Sequence, residues 1–330
     1  MSPATLDLAV IGAGPCGLAV GVAAAREGLV AEIFDRSCVV SAIVAYPTYI
    51  TFFSTAEKIA LAGFPFVVAS EKPTRRDAMD YYRSVVVQAG LTVRPYEAVE
   101  RIERDGPLFM LHSRRADGAR VTRARAVVIA TGYFHTPRRL GVGGEELPHV
   151  THYYREGHEA FQRDAFVVGG GNSAVETAID LVRAGARVTV AHVGPTFDRN
   201  IKPWVRPAFE QFVADGAIRM RWDTRVQAIG ASWVDVNGPG GGERLPADHV
   251  YLMTGFSPSS ELTGPLGVRF DPETNVPEHD PATMESNVAG VYVAGVLVSG
   301  NDANRIFIEN GRDHGALIAR HLAEPSAQAR

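Results

Sequence analysis

The stretch Leu8-Ala-Val-Ile-Gly12-Ala-Gly14-Pro-Cys16-Gly17, near the start of the chain, decides the fold. Its first four residues form an uninterrupted apolar run, which is typical of a buried parallel strand. Glycines at the Gly-x-Gly-x-x-Gly spacing follow, and Leu18 to Glu27 then shows helical spacing, with Gly28 just beyond its end. Strand, glycine turn and helix in this order predict the first half of a dinucleotide-binding βαβ unit.

The residues after this helix complete the unit. Val30 to Phe34 is a second apolar strand, and Asp35 follows it directly. In dinucleotide-binding units the backbone amides of the glycine turn contact the pyrophosphate, and an acidic residue ending the second strand accepts hydrogen bonds from the adenosine ribose. The predicted ligands of this first nucleotide are therefore Gly12, Gly14, Pro15, Gly17 and Asp35.

The same pattern occurs a second time between Ala165 and His192. Phe166-Val-Val-Gly predicts a strand and turn, Ala174 to Ala184 a helix, and Arg187 to Ala191 the second strand. Ala174 stands where a third glycine is usual, and its small side chain still allows close helix packing. The predicted ligands in this second turn are Gly169, Gly171, Asn172, Ser173 and Ala174.

The second copy ends its second strand in His192 rather than in Asp or Glu. A carboxylate there would accept from a free ribose hydroxyl and repel a 2′-phosphate, so its absence favours NADPH as the ligand. Besides His192, Arg199 and Lys202 lie downstream and are candidate phosphate ligands. Ordinary solvated surface charge is the alternative interpretation of both.

Two dinucleotides in one chain imply a relay in which a nicotinamide hydride reduces a flavin, so FAD is assigned to the first fold and NADPH to the second. Strand and glycine-turn patterns also end at Gly132, Gly255 and Gly295. This order predicts an α/β chain with two Rossmann-like domains, the second inserted into the first. Residues 1–137 and 256–330 would form the FAD-binding domain, and residues 138–255 the NADPH-binding domain. Pro239 to Glu243 is predicted to be a hairpin or a loose loop.

Composition excludes several other classes. The chain of 330 residues has 33 Lys plus Arg against 37 Asp plus Glu, so it offers no broad basic surface and nucleic acid is not an expected partner. Cys16 and Cys38 are the two cysteines, too few for a disulfide framework and not spaced for a structural zinc site, so no metal is expected. We therefore expect a reducing, cytoplasmic location.

The uncharged run from Leu8 to Ala25 is long enough to raise the question of a membrane span or a signal peptide. Asp7 rather than Lys or Arg precedes the run, and glycines and Pro15 interrupt it. These features favour a strand, a turn and a helix, and no membrane partner is expected.

Over nearly its whole length the sequence resembles the thioredoxin-reductase-like flavoproteins. The resemblance rests on both glycine motifs, the Ala130-Thr-Gly and Val293-Ala-Gly turns, and the interrupted domain order. It implies that Thr131, Gly132 and Gly295 also contact cofactor. Low-molecular-weight thioredoxin reductases carry a Cys-x-x-Cys pair before the second fold, where this chain has His152-Tyr-Tyr-Arg. A dithiol relay through the protein is therefore excluded.

Finer features resemble the bacillithiol disulfide reductase group of these flavoproteins. They are the stretches Gly14-Pro-Cys16-Gly, Tyr46-Pro-Thr, Thr51-Phe-Phe-Ser-Thr, His152-Tyr-Tyr-Arg-Glu-Gly-His158, Ile201-Lys-Pro-Trp204 and Ile306-Phe-Ile-Glu-Asn-Gly311. The resemblance implies an NADPH-dependent FAD enzyme that reduces the disulfide of a small cytosolic thiol, commonly as a homo-oligomer. It also implies a catalytic part for Cys16, whereas position alone allows Cys16 to be a small packing residue.

One residue departs from the wider group. The late turn normally ends in Ala-Gly-Asp, whose Asp accepts from the flavin ribityl chain, but Val296 stands here. Asn301 or Asp302 is expected to substitute. A helix beginning near Asn304 is expected to direct its positive end at the pyrimidine edge of the flavin.

Three other functions stay open. A flavin monooxygenase also places a His shortly before a Gly-Gly-Gly-Asn-Ser turn, although Glu146 and Pro148 replace the Phe and Gly of its fingerprint. A ferredoxin- or flavodoxin-type NADP reductase shares the architecture and lacks the Cys pair. A non-catalytic redox sensor is the third.

Overall fold

The computed structural model describes residues 5–198, 201–302 and 304–324. The chain forms two compact units, the first made of Met1–Val44, Ile50–Thr136 and Ser257–Arg330, the second of Ala45–Tyr49 and Pro137–Phe256. The crossings therefore lie next to Pro137 and Phe256, and the short segment Ala45–Tyr49 is an addition that the sequence did not indicate. Within the second unit, the amide of Thr48 donates to the carbonyl of Arg155 at 2.8 Å and fixes this segment.

The helices and strands follow the two repeats. The first part of the chain contains β1 Leu6–Ile11, α1 Pro15–Arg26, β2 Ala31–Phe34, α2 Ser41–Val44, α3 Ala56–Ile59, α4 Arg75–Gln88, β3 Thr92–Arg94, β4 Ala98–Asp105, β5 Leu108–Arg115 and β6 Gly118–Ile129. The second contains β7 Val150–Thr151, β8 Asp164–Val168, α5 Asn172–Arg183, β9 Arg187–Ala191, α6 Arg206–Ala214, β10 Ile218–Arg221, β11 Arg225–Gly230, β12 Trp233–Gly238, β13 Gly241–Pro246 and β14 His249–Leu252. The last contains β15 Val291–Val293, α7 Ile308–Gly311 and α8 His314–Ala323.

The first unit is built on a seven-stranded sheet in the order β3-β2-β1-β6-β5-β4, with β15 also paired to β6. Strands β3, β2, β1, β6 and β15 run parallel, whereas β5 and β4 add an antiparallel extension. The parallel core strands are almost continuously apolar because both their faces are covered, as in Leu8, Val10, Val127 and Val128, which are fully buried. The sequence thus forms the predicted α/β layer in this unit.

The second unit has a parallel five-stranded sheet in the order β10-β9-β8-β14-β7 and a separate antiparallel sheet β11-β12-β13. One apolar cluster joins α5 and α6 to the parallel sheet, and includes Val175, Leu181, Val190 and Phe209. A second cluster joins the antiparallel sheet to the other face. The hairpin predicted around Pro239 is confirmed, since β12 and β13 pair across it.

No helix within the described residues is long and apolar enough to cross a membrane. The charge-free run that begins at Leu8 is divided between β1, the glycine turn and α1, as its glycines and Pro15 predicted.

Candidate cofactor-binding sites

The first glycine turn joins three elements at close range. Gly12 has φ +112°, a backbone conformation that favours glycine, and a Cβ there would collide with the carbonyl of Ala130. A Cβ at Gly17 would collide with the carbonyl of Gly12. These two glycines therefore let β1, β6 and α1 approach one another closely, the role that their spacing predicted.

Gly14 is different, since a Cβ there would meet nothing within 4 Å. Gly14 caps the start of α1, and Pro15 takes the first helical position, where a missing amide costs nothing. Space in front of a glycine at a helix start is what a pyrophosphate needs in order to reach the backbone amides. The turn therefore fits the diphosphate of FAD.

Asp35 lies beside this turn, as predicted. Its Oδ2 accepts from the amide of Ala13 at 2.8 Å, and its Oδ1 accepts from the amide of Ser37, also at 2.8 Å. The side chain is half-buried and held at the carboxyl end of β2. This position is the one from which a carboxylate accepts from the adenosine ribose of a dinucleotide.

The carboxyl ends of β1, β6 and β15 meet at the same edge of the sheet. The amide of Ala130 donates to the carbonyl of Ile11 at 2.8 Å, and the amide of Ala294 donates to the carbonyl of Ile129 at 3.0 Å. The turns that follow these strands carry Thr131, Gly132 and Gly295, together with the first glycine turn. Three predicted cofactor segments are thus brought together in one unit.

His314 is a residue of this edge that sequence reasoning missed. Its Nδ1 accepts from the amide of Gly295 at 3.1 Å, so the ring fixes the turn after β15. Burial lowers the pKa of His314, His279 lowers it further, and the ring is therefore neutral at neutral pH. No spacing signal joins Gly295 to a histidine at the start of the last helix, so only the fold shows the pair.

Cys16 lies in the first turn of α1, but its thiol is buried between two glycines. A Cβ at Gly295 would lie 3.0 Å from Sγ, and a Cβ at Gly311 would lie 2.9 Å from it. Burial, followed by the charge of Asp313, raises the pKa of Cys16 to about 12. This environment opposes formation of a thiolate and favours the packing role, and the catalytic role of Cys16 stays a prediction.

The region after β15 differs from expectation. Asn301 donates to the carbonyl of Thr274 through its amide, and Asp302 accepts from the amide of Asn304 at 3.0 Å. Both residues are exposed and bonded within loops, so their proposed contact with the ribityl chain stays a prediction. The prediction of a helix beginning near Asn304 is wrong, because α7 begins at Ile308. At its start, the side chain of Asn310 accepts from the amide of Phe307 at 2.8 Å.

The second glycine turn repeats the close packing of the first. Gly169 has φ +142°, and a Cβ there would clash with the carbonyl of Met253, which follows β14. Ala174 is buried at the position of the third glycine. Gly171 caps the start of α5, with Asn172 and Ser173 in its first turn. The arrangement fits a second dinucleotide.

His192 follows β9 as predicted, but its ring packs under the turn. A Cβ at Gly170 would collide with the imidazole, which also contacts Trp222 edge-on with 6.1 Å between the ring centroids. The His192 side chain is 12% exposed, and its Nε2 lies 3.9 Å from Oδ1 of Asp198. His192 therefore supports the turn, while its contact with nucleotide stays a prediction.

Of the two basic residues predicted to bind the 2′-phosphate, the structure describes only Lys202. Arg199 lies outside the described residues. The amide of Lys202 donates to Oδ1 of Asn172 at 2.9 Å, which ties the loop after β9 to the start of α5. The ammonium of Lys202 acts on Glu176, a carboxyl whose pKa burial raises and this charge lowers in part. Lys202 therefore lies by the second turn, with its charge near a half-buried acid.

The remaining resemblance motifs lie within single units. In the first unit, the hydroxyl of Ser54 donates to the carboxylate of Glu309, joining the stretch after Thr51 to α7. In the second, the hydroxyl of Tyr154 and the amide of Gly157 both donate to Asp180 on α5. The His152-Tyr-Tyr-Arg motif thus anchors the segment before β8.

Comparison with known proteins identifies relatives along the whole chain. The chain is 39% identical over 320 residues to the bacilliredoxin reductase Bdr of Bacillus subtilis (strain 168), covering 96% of this chain and 97% of that protein. The structure of the bacillithiol disulfide reductase Bdr (YpdA) from Bacillus cereus matches with a TM-score of 0.95 and 39% identity, covering 97% of this chain and 99% of that one. The thioredoxin reductase of Lactococcus lactis matches with a TM-score of 0.77 at 19% identity, covering 96% and 98% of the two chains, which shows a shared fold.

The family model for pyridine nucleotide-disulphide oxidoreductases matches residues 9–295. This match spans both glycine turns, and the expected fold and the expected cofactors, FAD and NADPH, are confirmed. The chain therefore belongs to the pyridine nucleotide-disulphide oxidoreductase family.

Proposed function

We propose that this chain is an NADPH-dependent, FAD-containing reductase of a low-molecular-weight thiol disulfide, bacillithiol disulfide or a close analogue. The observation that carries the proposal is the relationship to a bacillithiol disulfide reductase over 97% of the chain at 39% identity. Both cysteines of the chain, Cys16 and Cys38, are free thiols. They lie too far apart in sequence to be a Cys-x-x-Cys pair, so the disulfide reduced is that of the substrate.

The overall reaction consumes one NADPH and one proton for each disulfide and yields NADP⁺ and two thiols. FAD, when bound, supplies the redox chemistry, since a flavin accepts a hydride from NADPH and passes both electrons to the disulfide. The chain contributes binding and orientation. Amides at the glycine turns of Gly14 and Gly171 hold the diphosphates, and Asp35 orients the adenosine ribose in the first unit.

The turn after β15 lies at the sheet edge where FAD would bind. His314 holds the amide of Gly295, and the glycine adopts φ +70°. His314 is accordingly a positioning residue in the proposed function.

Turnover measurements test the proposal directly. NADPH oxidation is followed with bacillithiol disulfide, glutathione disulfide, an oxidised bacilliredoxin, ferredoxin and oxygen as separate acceptors. Fastest turnover with the bacillithiol acceptors is expected, and the Bacillus subtilis relative is the reason to include the bacilliredoxin. Preference for ferredoxin would identify an NADP reductase instead. An oxygen adduct in stopped-flow spectra would identify a monooxygenase, and slow flavin reduction with every acceptor a sensor.

The same proposal places the reaction in the cytoplasm and in a homo-oligomer. Free thiols at Cys16 and Cys38 suit a reducing compartment. Native mass spectrometry of the FAD-loaded protein tests the oligomer, because a monomer at micromolar concentration would contradict it.

A further inference from the structure

Arg221 is the last residue of β10, next to the strand that carries the ribose position of the second nucleotide fold. Strands β8, β9 and β10 run parallel, and Arg221 pairs with Ala191, the last residue of β9. Carboxyl ends of neighbouring parallel strands lie at one edge of the sheet, which is where nucleotides bind. Arg221 therefore lies at the nucleotide edge, one strand beyond the end of β9.

The backbone after β10 is fixed to the end of β9. The amide of His192 donates to the carbonyl of Arg221 at 2.9 Å, and the amide of Thr224 donates to the carbonyl of His192 at 2.8 Å. The amide of Asp223 donates to the carbonyl of Gly194 at 3.0 Å. Arg221 is thus held beside His192, the residue at the position where NAD-binding folds carry a carboxylate for the 2′-hydroxyl.

The guanidinium of Arg221 is incompletely used within the chain. The side chain is 40% exposed and its guanidinium makes an ion pair with Glu243 at 3.3 Å, while Nε is buried without a hydrogen-bond partner among the described residues. Arg187, by contrast, contacts both carboxylate oxygens of Asp164, at 3.0 and 2.7 Å. An arginine presents five donors in a fork that suits phosphate. Because Nε is buried, the exposed part of this side chain is what a phosphate would contact, and Glu243 is its one ion-pair partner among the described residues.

The other basic candidate is already directed elsewhere. The charge of Lys202 acts on Glu176 of α5, and its Nζ lies 6.0 Å from the ring centroid of Trp204. Arg221, in contrast, lies at the end of the strand next to the ribose position. We propose that Arg221 binds the 2′-phosphate of NADPH and so sets the preference of this chain for NADPH over NADH. This step rests on the assignment of NADPH to the second unit.

Binding measurements on the FAD-loaded protein test the proposal without relying on turnover. Isothermal titration with NADP⁺ and with NAD⁺ gives the Kd of each for wild type and for Arg221→Met. Loss of one charge-assisted phosphate contact is expected to weaken NADP⁺ binding about ten- to a hundredfold. Binding of NAD⁺ is expected to stay within about twofold, because NAD⁺ lacks the phosphate.

Arg219→Met is the matched control. Arg219 lies two residues earlier on the same strand, and its guanidinium faces Asp164 at 3.8 Å, at the start of β8 and the opposite edge of the sheet. It is 49% exposed, close to the 40% of Arg221, so the two variants remove equal charge from similarly exposed sites. The control is expected to keep the wild-type affinity for both nucleotides.

Glu243→Gln provides an effect in the opposite direction. Removing the carboxylate that competes for Arg221 is expected to tighten NADP⁺ binding several-fold and leave NAD⁺ unchanged. A variant that damaged the fold would not bind one nucleotide more tightly. The proposal is supported if Arg221→Met lowers the affinity for NADP⁺ and not for NAD⁺, and if Glu243→Gln raises the affinity for NADP⁺.

These measurements distinguish failure of the NADPH assignment from failure of the role proposed for Arg221. Equal affinity of wild type for NADP⁺ and NAD⁺ would overturn the NADPH assignment itself. If wild type prefers NADP⁺ and Arg221→Met keeps that preference, the role of Arg221 is overturned while the NADPH assignment stands. If Arg221→Met lowers the affinity for NADP⁺ and for NAD⁺ equally, Arg221 is a structural residue and its proposed contact with the 2′-phosphate is overturned.

Discussion

At Cys16 the amide dipoles at the start of α1 are opposed by burial and by the charge of Asp313. The first turn of α1 places amide dipoles near Sγ, which favours a thiolate. Burial and the charge of Asp313 nevertheless raise the pKa to about 12, so the thiol is protonated at neutral pH. A sulfur in this state packs between Gly295 and Gly311 like a small apolar group.

Substitutions at Cys16 separate packing from catalysis. Cys16→Ala removes a small buried group and is expected to cost roughly 1 kcal/mol of unfolding free energy, with disulfide turnover within about threefold of wild type. Cys16→Ser buries a hydroxyl and is expected to cost about 1–3 kcal/mol. Denaturant unfolding and steady-state turnover measure both. Loss of disulfide turnover in Cys16→Ala, with NADPH still reducing the flavin at the wild-type rate, would instead establish a covalent role.

His314 predicts a pH dependence of stability. Its pKa is lowered from the ordinary 6.5 by burial and by His279, so the unfolded chain binds the proton more readily than the folded one. The stabilising contribution is therefore present above pH 6.5 and is lost as pH falls through the lower folded pKa. Burial also lowers the pKa of His135 and of His152, so these two residues change stability with pH in the same direction.

The variant His314→Gln keeps an acceptor for the amide of Gly295 but cannot titrate. Its melting temperature is expected to fall less than that of wild type between pH 7.5 and pH 5.5, because one of the three half-buried histidines with a lowered pKa has been removed. Differential scanning calorimetry at both pH values measures this difference. An unchanged pH dependence would show that protonation of His314 does not contribute.

At the scale of elements, the βαβ units were predictable because their signals are local. The apolar run of β1 and the glycine spacing predicted strand, turn and helix, yet α1 begins at Pro15 rather than at Leu18. The first helical turn lies within the glycine motif and carries no amphipathic pattern, so helical spacing becomes visible only after it. The existence of the helix was thus predictable, but its start was not.

The C-terminal elements could not be predicted for a different reason. Their boundaries depend on side chains that cap the backbone locally, as Asp302 and Asn310 do, which made the helix expected near Asn304 wrong. Contacts such as Gly295 with His314, or Cys16 with Gly311, join positions that no sequence period relates. The two glycine turns were predictable as sites, whereas the residues that support them were not.

The first glycine turn gives the sharpest element-level prediction. A Cβ at Gly14 meets nothing within 4 Å and Gly14 does not have positive φ, so Gly14→Val is expected to fold. The valine would nevertheless occupy the space that the FAD diphosphate needs, and flavin content should fall below roughly a tenth of one per chain. Absorbance at 450 nm of the purified protein measures it.

A matched control is Gly143→Val, at an exposed glycine of the second unit that also has open space and no positive φ. This variant is expected to keep full flavin content. Equal flavin content in the Gly14 and Gly143 variants would show that the first turn does not bind the diphosphate.

At the scale of the whole molecule, the chain leaves the first unit after Thr136 and re-enters it at Ser257, and these two points are neighbours. The amide of Ser257 donates to the carbonyl of Thr136 at 2.9 Å, so the ends of the two flanking segments are hydrogen-bonded. Pro137 and Phe256 likewise pair as an antiparallel bridge at the base of the second unit. Deleting 137–256 therefore leaves two chain ends that a short linker can join.

A chain in which Gly-Gly replaces residues 137–256 is expected to fold and to bind FAD, because β1, β6, β15 and the turns that follow them all belong to the first unit. It should be less stable than the full chain, since Thr48 loses the carbonyl of Arg155. NADPH should no longer reduce its flavin rapidly, whereas dithionite should. Flavin absorbance and stopped-flow reduction measure both properties.

The control is the same deletion carrying Gly14→Val, which should be colourless. Rapid reduction of the flavin by NADPH in the chain that lacks residues 137–256 would refute assignment of the nicotinamide nucleotide to the second unit.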